Sequence, residues 1–188
     1  DADPSETLMD FEELGLLELI IERGTEALDG APEGLRNDKG AMAEAIENNV
    51  RRTIVDENPV NPKYYEKMSV LLDELIALRR QQAISYQDYL EQVRELAIKV
   101  KHPASAAGSA YPASVDTLAK RSLYDNLGQD EVLVAKIDAA VRHTKKADWY
   151  GDRLKEKEIA YAIAEETKGY DVSVGDVMEL VKAQQEYH

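Results

Sequence analysis

The chain of 188 residues contains no cysteine, one phenylalanine and one tryptophan. Without cysteine there is no disulfide, no thiolate nucleophile and no thiolate metal site. The fold must therefore rest on core burial, and a chain of this length buries about 70% of the surface its unfolded form exposes. Histidine is scarce as well. His102, His143 and His188 have no second histidine four residues away and no acidic residue three before, which removes the Glu-x-x-His pattern of helical di-metal sites. Long apolar runs are also missing. Residues 14–21 form the longest, interrupted by Gly15 and Glu18, against the about 20 residues a membrane span needs. No basic-then-apolar leader opens the chain. These absences fit a cytoplasmic location without a membrane partner. The first residue is Asp rather than Met, so the chain is expected to have been cut from either a longer protein or a tag.

Positive charge is the next deficit. There are 23 Lys and Arg against 37 Asp and Glu, a net of −14. Residues 1–60 hold 16 acids and 5 bases, and the remainder is nearly balanced. Autonomous DNA binders present a basic face, so the first third should repel a duplex. One basic concentration stands out: Arg142, Lys145, Lys146, Arg153, Lys155 and Lys157 around Trp149. It is either a solvated helix end or a partner or phosphate contact. Trp149 itself is either a core plug or an interface anchor.

What the chain does have is helical period. Leu17, Ile20, Ile21 and Leu28 form one stripe, closed by Asp29-Gly30-Ala31-Pro32. Asp38 caps a helix with Met42, Ile46, Val50 and Ile54 on one face. Asn58-Pro59-Val60-Asn61-Pro62 ends it, because a residue before proline leaves the α region. Asn61 and Pro62 then start the next helix as N-cap and first turn. Tyr65, Met68, Leu72 and Leu75 line it, and Ser85 caps a partner carrying Tyr89, Val93, Leu96 and Val100. The short gap between the two predicts an antiparallel hairpin over residues 61–101. Residues 102–115, rich in small residues with two prolines, read as a linker. Four helices are expected beyond it, near residues 117–126, 130–145, 154–167 and 175–187, with a weak strand signal near 170–174.

The reading is therefore all-α: an irregular multi-helix domain of about seven or eight helices with little or no sheet. Residues 1–13 are an extension, 14–101 a helical lobe, 102–115 the linker and 116–188 a second lobe. There is no Gly-x-x-x-x-Gly-Lys-Ser/Thr loop and no Gly-x-Gly-x-x-Gly turn. Neither catalytic nor cofactor-binding nor metal-ligating residues are assigned. The ten tyrosines, clustered at Tyr64, Tyr65, Tyr86 and Tyr89, are either amphipathic core edges or an interface platform.

Several segments carry a resemblance. They are Glu44-Ala-Ile-Glu-Asn-Asn-Val-Arg51, Asp56-Glu-Asn-Pro-Val-Asn-Pro-Lys-Tyr-Tyr-Glu-Lys-Met-Ser69, Leu71-Leu-Asp-Glu-Leu75, Tyr111-Pro112, Leu123-Tyr-Asp-Asn-Leu127, Trp149 and Ile159. Together they resemble the C-terminal helical region of the R (restriction and translocation) subunit of type I restriction–modification enzymes. The Asn-Pro-Val-Asn-Pro-x-Tyr-Tyr-Glu-x-Met run is the most specific part. The resemblance implies a parent that is an ATP-dependent site-specific deoxyribonuclease using ATP and Mg, with its nuclease and motor motifs upstream. It implies that this region is non-catalytic, holds no cofactor and assembles the motor onto the methyltransferase M and specificity S subunits. DNA would be met only through the parent complex. The alternative is a lobe that grips DNA through the 142–157 basic patch.

Overall fold

In the computed structural model, which describes residues 15–106 and 110–188, every regular element is helical. The expected extension 1–13 and residues 107–109 of the expected linker lie outside the described residues. Ten α-helices are present among the described residues: α1 (Gly15–Arg23), α2 (Glu33–Arg36), α3 (Lys39–Glu57), α4 (Pro62–Arg80), α5 (Tyr86–Lys101), α6 (Pro103–Ala106), α7 (Leu118–Asn126), α8 (Glu131–Thr144), α9 (Arg153–Glu166) and α10 (Val174–Lys182). The count exceeds the expected one because α2 and α6 are single turns in stretches read as connections. The first expected helix is also shorter than its stripe. Gly24, at φ 77, breaks it, and Thr25–Gly30 continues as a 3₁₀ turn. Where a weak strand signal lay, Ser173 instead caps α10 by accepting from the Asp176 N–H at 3.3 Å. No strand occurs among the described residues.

The chain divides into two compact units. The first comprises Asp1–Asp56 and Lys67–Ala106, the second Glu57–Glu66 and Ala107–His188. Glu57–Glu66, placed by sequence in the first lobe, thus groups with the second. The reason is a set of long-range hydrogen bonds described below.

In the first unit Leu19, Ile20, Ile46, Leu72, Tyr89 and Val93 are fully withdrawn from water. Helices α4 and α5 run antiparallel across residues 81–85, with the Arg79 guanidinium 5.8 Å from the Tyr89 ring. One carboxylate is buried among these apolar residues. Glu47 accepts two bonds from Arg79, at 2.7 and 3.1 Å, and one from the Tyr89 hydroxyl at 3.0 Å. Three donors on one buried carboxylate offset the desolvation it suffers. Arg94 donates to the carbonyls of Ile20 and Ile21, both at 3.1 Å, and so satisfies the open end of α1.

In the second unit α7 to α10 enclose Leu123, Leu133, Ile137, Ile159, Ile163 and Val181. The segment Asn58–Val60 and the start of α4 are held against them by polar groups. The Val60 carbonyl accepts from the Ser122 hydroxyl at 2.7 Å and from the Gln184 amide at 2.8 Å. Asn61 donates to Asp125 at 2.8 Å and accepts from Asn126 at 2.8 Å and from the Tyr64 N–H at 3.3 Å. Tyr111 donates to the same Asp125 carboxylate at 2.6 Å.

Candidate functional site

The basic window lies at the junction of α8 and α9. Two residues in the left-handed region, Asp148 at φ 55 and Gly151 at φ 83, reverse the chain there. The turn aims Trp149 inward. Its indole is 2% exposed and donates to the Tyr187 carbonyl at 2.6 Å. Of the two readings open for Trp149, the core plug is the one realised; the side chain is not available as a surface contact.

Two of the bases, Arg142 and Lys145, serve the chain's own C-terminal turn, and Lys155 serves the reversal. Asp138, 8% exposed on α8, accepts both 3.0 Å bonds from the Arg142 Nε and a 2.7 Å bond from the Tyr187 hydroxyl. The Arg142 guanidinium lies 5.3 Å from the Tyr187 ring and reaches Glu186 at 3.4 Å. Lys145 donates to the carbonyls of Tyr187 and His188 at 3.2 and 3.3 Å. Lys155 donates to the carbonyls of Ala147 and Asp148 at 2.8 and 3.4 Å, bracing the reversal. Burial, with the hydrogen bond to Asp138, pushes the Tyr187 phenol well above its ordinary value. The bond to Asp138 also raises Arg142, so this guanidinium stays charged throughout any working range.

Asp152 and Glu156 open α9. Asp152 accepts from the N–H groups of Leu154 and Lys155, at 2.9 and 3.2 Å, which lowers its pKa. Glu156 bonds to Lys182 at 2.9 Å and accepts from the Gly151 N–H at 2.9 Å, and these hold its carboxyl below the usual range.

Three bases remain on the outside. Lys146 pairs with Glu158 at 2.6 Å, both side chains about half exposed. Arg153 is exposed and makes no ion pair among the described residues. Lys157 is exposed and packs over the Tyr161 ring at 5.6 Å. Sequence reasoning missed what lies beside them. Leu154 is 77% exposed and Tyr161 62%. At 100° per residue Arg153, Leu154, Lys157 and Tyr161 fall on one side of α9, opposite the buried Ile159 and Ile163. The readable signal was apolar residues on both faces of one helix, which a single-stripe search does not register.

Elsewhere in this unit a groove of about 480 Å³ runs between Pro59, Pro62, Leu127 and Leu180, with Asp171, Asp176 and Glu179 at its rim. Among the described residues no three His, Asp or Glu side chains are grouped so as to hold a metal. No described helix is long and apolar enough to cross a membrane.

Comparison with protein-family models, with curated proteins and with solved structures finds no match to this chain.

Proposed function

We propose that the chain is a helical, non-catalytic assembly module, similar to the C-terminal region of a type I restriction–modification R subunit. On this reading it docks the motor subunit onto the M and S subunits, while ATP, Mg and the DNA-cleaving chemistry belong to the parent. The observation that carries the proposal is the convergence of the resembling segments. Asn61 of the Asn-Pro-Val-Asn-Pro run, Tyr111, and Asp125 and Asn126 of the Leu-Tyr-Asp-Asn-Leu run meet in one hydrogen-bonded knot. Asn61 and Asn126 are 65 residues apart in sequence. Polar side chains that satisfy one another across such a distance define a fold rather than a surface accident.

The disposition of charge supports a protein partner over DNA. A phosphate-binding patch needs free cations, and Arg142, Lys145 and Lys155 are tied to carboxylates or carbonyls of the chain itself. The net charge of −14 further disfavours a duplex.

The test is co-purification. Immobilised chain is mixed with purified M and S subunits, and retention of the M/S core at micromolar concentration is expected. No retention, under conditions in which the complete R subunit is retained, overturns the proposal.

A further inference from the structure

We propose that the outer face of α9, built from Arg153, Leu154, Lys157 and Tyr161, docks an acidic amphipathic helix of a partner protein. This deepens the assembly reading by naming a surface and the chemistry it takes. Its test uses neither M nor S subunits, so the two can fail separately.

The argument starts from the helix itself. A helix on the outside of a globular unit needs one apolar stripe, and α9 already spends Ile159 and Ile163 on the core. Leu154 and Tyr161 add a second stripe, one side chain 77% and the other 62% exposed. Single exposed apolar residues are ordinary. Here two lie seven positions apart, about 10 Å along one face, with Lys157 between them and Arg153 immediately before the first. Tyr and Arg are the residue types enriched where proteins meet.

Charge selects the occupant. Around the stripe Glu158 is held by Lys146 and Glu165 by Lys168, each at 2.6 Å. Those pairs cancel, and Arg153 and Lys157 leave the face at a net of +2 on a chain of net −14. A partner helix with Leu or Phe on one side would cover Leu154 and Tyr161, and its flanking carboxylates would reach Arg153 and Lys157. Two helices meeting at such a seam bury apolar ridges in grooves while the charges stay at the rim.

The experiment is fluorescence anisotropy with the full chain and a labelled synthetic peptide carrying Leu and Phe on one helical face and Glu on the other. A peptide of the same composition in scrambled order is the control. Binding in the range of about 10 μM is expected. It should weaken at least about tenfold in Leu154→Ser/Tyr161→Ser and in Arg153→Glu/Lys157→Glu. All four side chains are exposed, so the variants should keep the wild-type thermal midpoint, which is measured alongside. Equal binding of the scrambled peptide, or indifference to both double variants, overturns the proposal. Displacement of the peptide by a short DNA duplex overturns it in favour of a phosphate site. Self-association of the chain that disappears in Leu154→Ser overturns it in favour of a second copy.

Discussion

Glu156 shows how a single side chain holds an element in place. It ties the start of α9 to Lys182 at the end of α10 and closes on the Gly151 N–H. Its folded pKa is lowered from 4.5, first by the bond to Lys182. A lowered carboxylate contributes stability that is complete above the unfolded value and is lost as pH falls through the folded one. The urea midpoint should therefore drop as pH falls below 4.5, and more shallowly in Glu156→Gln than in the parent chain. Equal slopes would show that the contact does not contribute. At the other end of the scale burial comes first in raising the phenols of Tyr89 and Tyr187, with Glu47 and Asp138 beside them. A raised phenol contributes stability that is present below its unfolded value of 10.0 and is lost as pH rises through the folded one. Tyrosinate absorbance for these residues should thus appear only together with loss of helical circular dichroism. If it appears in a chain still fully helical, the hydroxyls are not sealed as described.

Helix by helix, the sequence was most legible at N-termini, because a cap is a local event. Asp38 and Ser85, read as caps from their spacing, each accept a backbone N–H three residues on, and Asp130 and Ser173 do the same for α8 and α10. The apolar stripe of α4 was equally readable: Leu72 is fully buried and so is Val93 on α5. Truncation of Leu72 to Ala should cost about 2–5 kcal/mol, measured by urea denaturation; an unmoved midpoint would mean that Leu72 is exposed and the stripe wrongly read. Breaks inside a periodic stretch were not legible. Gly24 keeps the apolar register intact while its φ of 77 ends α1, and the pattern alone cannot separate a tolerated glycine from a breaking one. The candidate site was legible only in part. Local spacing exposed the basic window, but not that Asp138, Tyr187 and two backbone carbonyls would occupy Arg142 and Lys145. Asp138 is only four residues from Arg142, but Glu186 is 44 from it and the carbonyls Lys145 reaches are 42 and 43 residues away, beyond any local pattern.

For the whole chain, charge and connectivity set behaviour that no single helix does. Each phosphate contact requires a free cation and adds a salt slope of about −0.9, and Arg153 and Lys157 supply few such contacts. Affinity for a labelled duplex at physiological salt should be weaker than about 10⁻⁴ M, read by anisotropy. Micromolar binding abolished by Lys145→Glu/Lys146→Glu would promote the DNA-gripping alternative. Connectivity has its effect on the ribosome. The Val60 carbonyl waits for Gln184, 124 residues later. At synthesis rates of about 5–20 residues per second, that wait is roughly 6–25 s. During it Pro59, Val60 and Asn61 are at first without partners and then meet Ser122, Asp125 and Asn126, made 62 to 65 residues after them, while the first unit can assemble on either side of them. Vectorial synthesis therefore delivers an intermediate with an incompletely closed polar strap, which only the emergence of the segment around Gln184 completes.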